Sequence, residues 1–226
     1  MAGDLQEGIE FFRTKRWSKA LKEFKSLKPS DLESGEKEEL SYYLGLCFMK
    51  LNQYEDALLH LEQVVTGGSN PLRIYQCRMT LAYIYVITGR SKMAEFELRR
   101  LLAAGFKSAQ LYSTLGYASW SQKRYKEAVD YYEKALEVDG ENPTALNCLG
   151  YILVDTNADI SRGLRYCRKA VDRKPQNPAY LDSLGWAYFK NGETQEARVW
   201  LRRALEAAPH EQEIKKHMRT VVGDVE

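Results

Sequence analysis

Apolar and small residues recur at helical spacing in two successive stretches of residues 178–209. Recurrence at steps of three and four residues places side chains on one face of a helix. The first stretch holds Leu181, Leu184, Gly185 and Tyr188, and the second holds Ala197, Leu201 and Ala204. Asn191-Gly192 separates the two stretches, and Pro209 ends the second. The pattern therefore predicts two amphipathic helices joined by a tight turn.

The same unit recurs along the chain with a nearly fixed period. The small residue of the first helix stands at Gly8, Gly45, Ala82, Gly116, Gly150 and Gly185, at intervals of 37, 37, 34, 34 and 35 residues. The small residue of the second helix follows at Ala20, Ala57, Ala94, Ala128, Gly163 and Ala197. A glycine inside a helix costs about 1 kcal/mol relative to alanine, so five glycines at one register indicate close approach of a second helix. We therefore predict six helix pairs, which stack because one pair alone buries too little apolar surface.

Capping residues and turn residues support these boundaries. An Asn-Pro step begins three of the first helices, at Asn70, Asn142 and Asn177, and Ser108 can cap a fourth. Turn signals separate the paired helices at Asn52-Gln53, Thr88-Gly89, Gln122-Lys123 and Asn191-Gly192. After Pro209, residues Ile214, Met218, Val221 and Val222 share one face of a further predicted helix. We interpret this helix as a cap on the last pair, and the alternative is an amphipathic helix that binds a partner.

This arrangement resembles the tetratricopeptide repeat (TPR) family. The family pattern spans 34 residues and contains a large residue, Leu-Gly, Tyr, Ala, an aromatic residue or Leu, Ala and Pro. Residues 178–209 carry nearly all of it, and the resemblance extends over almost the whole chain. It implies an all-α, right-handed superhelical solenoid of six helix-turn-helix repeats with a C-terminal capping helix. The segment from Gly185 to His217 is also similar to bacterial TPR proteins, some of which serve cell-envelope complexes.

The resemblance further implies a single solenoid domain over residues 1–226. The expected repeats are 1–34, 38–70, 71–107, 108–142, 143–177 and 178–210, followed by a capping helix at 211–223.

In this family the first helix of every repeat lines a concave groove that binds a partner. Groove positions that follow from the register are Tyr42, Met79, Tyr83, Tyr117, Trp120, Asn147, Tyr151, Asp182, Trp186 and Phe189. Rows of aromatic rings with polar tips suit an extended or helical peptide. Asn147 and Asp182 could bond the peptide backbone or a basic residue. The alternative is that the rings fill the space between neighbouring first helices.

One branch of the family holds the C-terminal carboxylate of chaperone tails with Lys and Asn at groove positions. At the Lys position this chain has Tyr42, Met79, Ser113, Asn147 and Asp182. At the Asn position it has Leu46, Tyr83, Tyr117, Tyr151 and Trp186. These differences argue against a clamp for an acidic tail.

Charge excludes some function classes and leaves others open. The formal net charge is +2, whereas general nucleic-acid binders carry a strong basic excess. Acidic residues dominate residues 31–62, and basic residues dominate residues 162–174. This polarity either keeps the outer face soluble or steers head-to-tail self-association or an acidic partner. No apolar run is long enough to predict a membrane span.

Neither a metal site nor a catalytic motif is predicted. Cys47, Cys77, Cys148 and Cys167 lack zinc-like spacing, so we interpret them as buried packing residues, with a Cys148–Cys167 disulfide as the alternative. His210 and His217 are interpreted as surface residues of the last segment. Nucleophile elbows, P-loops and HExxH motifs are absent from the sequence. We expect no cofactor.

The sequence thus predicts a non-enzymatic scaffold or adaptor that binds a protein or peptide segment in an aromatic groove. Two other classes stay open: a structural protein that assembles with itself, and a binder of an apolar small ligand. The start, MAGDLQEGIEFF, lacks the basic and apolar regions of a signal peptide. The expected compartment is cytoplasmic for this chain as it stands, and periplasmic or cell-envelope if a leader has been removed.

Overall fold

The computed structural model describes residues 4–223, and this part of the chain contains helices, turns and loops without strands. The predicted all-α class is confirmed. The chain divides into two compact units, Met1–Phe106 and Lys107–Glu226. The first three residues, on which part of the signal-peptide argument rests, lie outside the described range.

Six α-helices and one short 3-10 helix form the described part of the first unit. They are α1 (Leu5–Arg13), α2 (Trp17–Ser26), the 3-10 helix (Pro29–Asp31), α3 (Ser34–Lys50), α4 (Tyr54–Gly67), α5 (Pro71–Ile87) and α6 (Ser91–Ala103). The helices pack in consecutive pairs, α1 with α2, α3 with α4 and α5 with α6. Each pair also contacts the next one, through α2 with α3 and α4 with α5.

Seven helices form the described part of the second unit. They are α7 (Ala109–Ser121), α8 (Tyr125–Val138), α9 (Pro143–Asp155), α10 (Ile160–Arg173), α11 (Pro178–Lys190), α12 (Thr194–Ala207) and α13 (Gln212–Val222). The pairs are α7 with α8, α9 with α10 and α11 with α12, and α13 packs on α12 and α11. The first helices α7, α9 and α11 also contact one another in sequence, which makes them one continuous face of this unit.

The glycines at the predicted register lie where the paired helices approach most closely. A Cβ added at Gly45 would be 2.7 Å from the Leu61 side chain, and one at Gly185 would be 2.7 Å from Leu201. At Gly116 an added Cβ would be 2.9 Å from the ring of Tyr132, which is 1% exposed. The predicted reason for these glycines is confirmed, because a methyl group at these positions would overlap the partner helix.

The predicted caps and turns are also confirmed. The side chains of Asn70, Asn142 and Asn177 each accept hydrogen bonds from backbone N–H groups in the first turn, and Ser108 does the same for α7. Left-handed backbone conformations occur at Asn52, Gly89, Lys123 and Gly192, within the four predicted turns. Six helix pairs are compatible with the predicted repeat number. The single-domain assignment and the repeat boundaries stay predictions.

The cysteines differ partly from their interpretation. Cys47, Cys77 and Cys167 are buried as expected, and all four thiols are free, so Cys148 and Cys167 form no disulfide. Cys148 is only partly buried. It is correspondingly one of the residues that line a cavity on the face made by α7, α9 and α11.

Candidate functional site

A cavity of about 200 Å³ lies on the first-helix face of the second unit. Five helices contribute its lining: Tyr117 and Trp120 from α7, Tyr132 from α8, Asn147, Cys148, Tyr151 and Ile152 from α9, Ala179, Asp182 and Ser183 from α11, and Glu213 from α13. The repeat register explains the convergence. Tyr117 and Tyr151 occupy equivalent positions of neighbouring first helices, and Asn147 and Asp182 occupy another equivalent pair.

Aromatic rings form the open wall of this cavity. The centroids of Tyr117 and Trp120 are 5.5 Å apart, and the rings are tilted by 48°. Tyr117 is 41% exposed although it belongs to a packed helix face. An exposed large ring beside a cavity offers apolar surface that a ligand can cover.

The tyrosine hydroxyls of the cavity stay protonated at neutral pH. Burial is the main cause that raises the pKa of Tyr117, and Cys148 and Glu213 add to the effect. Burial likewise raises the pKa of Tyr151 above its usual range. The carboxylates of Asp155, Glu213 and Asp182 raise the pKa of Tyr151 further. Both hydroxyls are therefore neutral. The hydroxyl of Tyr151 hydrogen-bonds Glu213, and that of Tyr117 can donate to a ligand.

Asn147 is one of the buried polar residues that line the cavity, together with Asp182 and Ser183. It is 7% exposed, and its side chain hydrogen-bonds the thiol of Cys148. Burial nevertheless raises the pKa of that thiol. Within residues 4–223, Oδ1 of Asn147 has no hydrogen-bond partner. A buried acceptor without a partner costs roughly 1–3 kcal/mol, so this oxygen favours an incoming donor.

Helix α13 folds against the same face and closes one side of it. Nδ1 of His217 lies 2.9 Å from Oδ2 of Asp182. The imidazole stacks on Trp186 with a centroid distance of 4.4 Å and an interplanar angle of 16°. Ile214 and Val221 of the same helix are buried. The carboxylate of Asp182 is thus already bonded by the chain itself.

The surface interpretation of His217 is wrong, whereas that of His210 holds. His217 is 6% exposed because it lies between Ile214 and Val221 on the buried face of α13. These three residues are three and four positions apart, so the sequence already indicated that His217 shares the buried face of the helix. His210 precedes α13 and is exposed.

Trp186 and Phe189 lie beside α13 and outside the cavity lining. Their centroids are 5.4 Å apart, and Nε1 of Trp186 donates to Oδ1 of Asp155 at 3.1 Å. The ammonium of Lys190 lies 5.7 Å from the centroid of the Trp186 ring. Both rings are partly buried by contacts within the second unit.

Three candidate residues belong to the first unit. Met79 is 9% exposed, and Tyr83 is 51% exposed. The hydroxyl of Tyr42 donates to Oε1 of Gln76 at 2.7 Å, and burial raises the pKa of Tyr42 to about 12. Of the ten predicted groove residues, the cavity brings together Tyr117, Trp120, Asn147, Tyr151 and Asp182.

The sequence did not reveal the contributions of Glu213, Cys148 and Tyr132. Tyr132 stands at a packing position of α8, and Cys148 is a partly buried residue of α9; both line the cavity. Glu213 reaches it because α13 turns back onto α11. The apolar pattern of α13 predicted a helix without indicating which surface would receive it.

Among residues 4–223, no group of three or more His, Cys, Asp or Glu side chains is arranged to hold a metal ion. Within this range, none of the helices is both long and apolar enough to cross a membrane.

Models of the tetratricopeptide repeat match three separate segments, at residues 39–66, 109–142 and 178–211. A TPR repeat-containing protein of Pseudomonas aeruginosa is 36% identical over 78 residues, which cover 34% of this chain and 13% of that protein. The photosystem I assembly protein Ycf3 of Prochlorococcus marinus is 30% identical over 116 residues, which cover 46% of this chain and 66% of Ycf3. The chain therefore spans a small part of the first relative and about two thirds of the second.

Solved structures support the same fold. The APC/C hetero-tetramer Cut9–Hcn1 contains a chain that aligns with a TM-score of 0.78 at 14% identity, covering 96% of this chain and 42% of that one. YrrB, described as a TPR protein with an unusual peptide-binding site, aligns with a TM-score of 0.57 at 18% identity over 78% of this chain and 89% of its own. The repeat matches, the helix pairs and these structural likenesses agree, and the chain is a tetratricopeptide repeat protein.

Proposed function

We propose that this protein is a non-enzymatic adaptor that binds a segment of a partner protein on the first-helix face of its second unit. The observation that carries the proposal is the cavity beside Tyr117, Trp120 and Tyr151, which is also lined by Asn147 with its buried and unpartnered Oδ1. Exposed rings, hydroxyl donors and a free acceptor together can hold both the side chains and the backbone of a peptide.

The family and its relatives support the class of this function. TPR proteins generally mediate protein–protein interaction or assembly, and the Ycf3 relatives are named as assembly proteins. The proposal transfers only this general role to the present chain. Photosystem I is not implied as a partner.

We divide the ten candidate residues into three groups according to their positions in the structure. We propose Tyr117, Trp120, Asn147 and Tyr151 as direct contacts. Asp182, Trp186 and Phe189 support the site through α13 and its neighbours. For Tyr42, Met79 and Tyr83 we propose a separate contact surface on the first unit.

Site-specific photo-crosslinking tests the proposal. A photoreactive p-benzoylphenylalanine replaces Tyr117 in one protein and Tyr125 in a matched control. Tyr117 is 41% exposed and Tyr125 is 42% exposed, and both belong to the second unit. We expect irradiation in a native lysate to crosslink a defined protein at position 117 and not at position 125. Unlabelled wild-type protein should compete with this product.

A second experiment tests whether the first-helix face of the second unit contributes to affinity for the partner. The variant Tyr117→Ala/Trp120→Ala is compared with Tyr125→Ala after far-UV circular dichroism has shown equal helix content. We expect the first variant to lose the captured protein and the control to retain it. Equal capture by both proteins would overturn the proposal. Mass photometry at several concentrations separates this result from self-assembly, in which the crosslinked species is a second copy of the chain.

A further inference from the structure

The cavity of the second unit has the size of a site for one side chain. Pockets for drug-sized molecules generally enclose about 300–1,000 Å³, whereas this cavity measures about 200 Å³. A peptide that lies along α7, α9 and α11 could therefore place a single residue in it. The chemistry of the lining then determines which residue fits.

The walls of the cavity suit a cation. Tyr117, Trp120 and Tyr151 line it from two adjacent helices. The face of an aromatic ring carries negative charge density and attracts an ammonium or guanidinium group within about 6 Å. An apolar side chain would also contact these rings, so the polar groups of the lining must distinguish between the two.

Besides the hydroxyl and indole donors of Tyr117, Tyr151 and Trp120, the lining contains a buried acceptor and a carboxylate. Asn147 lines the cavity, and its buried Oδ1 lacks a partner in the described chain. Lysine and arginine carry several donors and no acceptor, so either one satisfies this oxygen. A norleucine-like side chain would leave it unpaired, and an aspartate or glutamate would place a second acceptor against it.

The charges around the cavity favour the same ligand. Glu213 lines its rim with an exposed carboxylate. The charged side chains that raise the pKa of the Tyr151 hydroxyl are all carboxylates: Asp155, Glu213 and Asp182. Asp182 is bonded to His217, and Asp155 accepts a hydrogen bond from Trp186. Glu213, which hydrogen-bonds the Tyr151 hydroxyl, is therefore the exposed carboxylate of the rim. The nearby ammonium of Lys190 lies over the Trp186 ring, outside the lining.

We infer that the cavity is a recognition site for a lysine or arginine side chain of the bound segment. The inference rests on the proposed function and adds the chemistry of the residue that is recognised. The rings of Tyr117, Trp120 and Tyr151 surround the cationic group, Asn147 accepts a hydrogen bond from it, and Glu213 supplies the opposite charge.

The test uses four capped tripeptides, acetyl-Ala-Xaa-Ala-amide, in which Xaa is lysine, arginine, norleucine or glutamate. Each is titrated at millimolar concentration into the ¹⁵N-labelled full chain while NMR records the Trp120 indole and the Asn147 side-chain amide. We expect lysine and arginine peptides to bind about tenfold more tightly than the norleucine peptide, and the glutamate peptide to cause no saturable shift.

Two exposed carboxylates supply a matched pair of variants. Glu213→Gln removes the charge at the rim, and Glu206→Gln removes one from α12, which does not line the cavity. We expect the first variant to weaken lysine and arginine binding about threefold to tenfold and the second to leave it unchanged. The norleucine peptide should respond to neither variant.

The outcomes separate this inference from the proposed function. Equal binding of norleucine and lysine peptides, or an equal effect of both variants, would overturn the cation site and leave the crosslinking result at position 117 intact. The absence of a saturable shift with every peptide would overturn it as well. Selective lysine or arginine binding without crosslinking to a partner would support the cation site and contradict the adaptor proposal.

Discussion

His217 and Asp182 form a buried pair, with Nδ1 and Oδ2 2.9 Å apart and side chains that are 7% and 8% exposed. The pair joins α13 to α11, and the imidazole also stacks on Trp186. Helix α13 is therefore more than an apolar cover for the last helix pair. Its hydrogen bond and its stacked ring specify how it lies on the first-helix face, and this position brings Glu213 to the rim of the cavity.

We predict that His217→Ala lowers the free energy of unfolding of the second unit by about 2–4 kcal/mol. The change leaves the buried Asp182 carboxylate without its partner, and a buried charge without a partner costs several kcal/mol of stability. Urea titration followed by tryptophan fluorescence measures the effect, because Trp120, Trp186 and Trp200 belong to this unit. His210→Ala is the control and should change stability by no more than about 0.5 kcal/mol.

A double-mutant cycle identifies the source of this loss. Asp182→Ala should be destabilising alone, and the double variant should lose less stability than the two single variants together. Additive losses would show that His217 contributes by packing alone. They would contradict the prediction that its contact with Asp182 contributes to stability.

Substitution by alanine should destabilise the protein at one glycine of α3 and not at another. A Cβ at Gly45 would be 2.7 Å from Cγ of Leu61, a fully buried residue, and 3.3 Å from its backbone nitrogen. A Cβ at Gly35 would contact nothing within 4 Å. We predict that Gly45→Ala destabilises the first unit by about 1–3 kcal/mol, because the well-packed α4 must shift.

Gly35→Ala should leave stability unchanged or raise it by up to about 1 kcal/mol, the propensity difference between the two residues. Hydrogen exchange measured by mass spectrometry distinguishes the two results and assigns them to α3 and α4. If Gly45→Ala were as stable as Gly35→Ala, the close approach of α3 and α4 would not explain why small residues recur at this spacing along the chain.

The parts of the fold that depend on periodicity were predictable from the sequence. Gly45 packs against Leu61 and Gly185 against Leu201 because the same register recurs in each helix pair. Caps such as Asn142 were predictable because they act on the next three residues. Both effects are local or repeated, so one sequence contains enough instances to reveal them.

The arrangement of α13 depends on contacts that the repeat does not encode. The sequence placed Asn147 and Tyr151 on the groove face, and the cavity contains both. It gave no indication that His217 would bond Asp182, since α13 has no equivalent in the other repeats. The buried pair of Arg78 and Glu97 was missed for a similar reason, because no other helix pair has opposite charges at the two equivalent positions.

Arg78 of α5 and Glu97 of α6 form a salt bridge whose side chains are only 9% and 11% exposed. We predict that Arg78→Met destabilises the first unit by about 3–5 kcal/mol, because it leaves the Glu97 carboxylate buried without its partner. The double variant Arg78→Met/Glu97→Met should recover most of this loss, since two apolar side chains of similar length can fill the same space. Chemical unfolding of the three proteins measures the difference. A double variant that is less stable than Arg78→Met would contradict the prediction.

Glu38 should make the stability of the first unit sensitive to acid. Its Oε2 accepts a hydrogen bond from the backbone N–H of Ser69 at 2.9 Å, and this bond is the main cause that lowers the pKa of Glu38. A carboxyl group with a lowered pKa in the folded state contributes stability above its unfolded pKa, about 4.3. That contribution is lost as the pH falls through the folded pKa.

We therefore predict that Glu38→Gln lowers the urea midpoint of the first unit at pH 6 and has a much smaller effect near pH 3. Hydrogen exchange at Ser69 and at the start of α5 supplies a local measurement of the same contact. Glu10→Gln, at an exposed position of α1, is the control and should shift the midpoint little at either pH. An effect of Glu38→Gln that is equal at both pH values would contradict the prediction, because the lost stability would then be independent of the carboxylate charge.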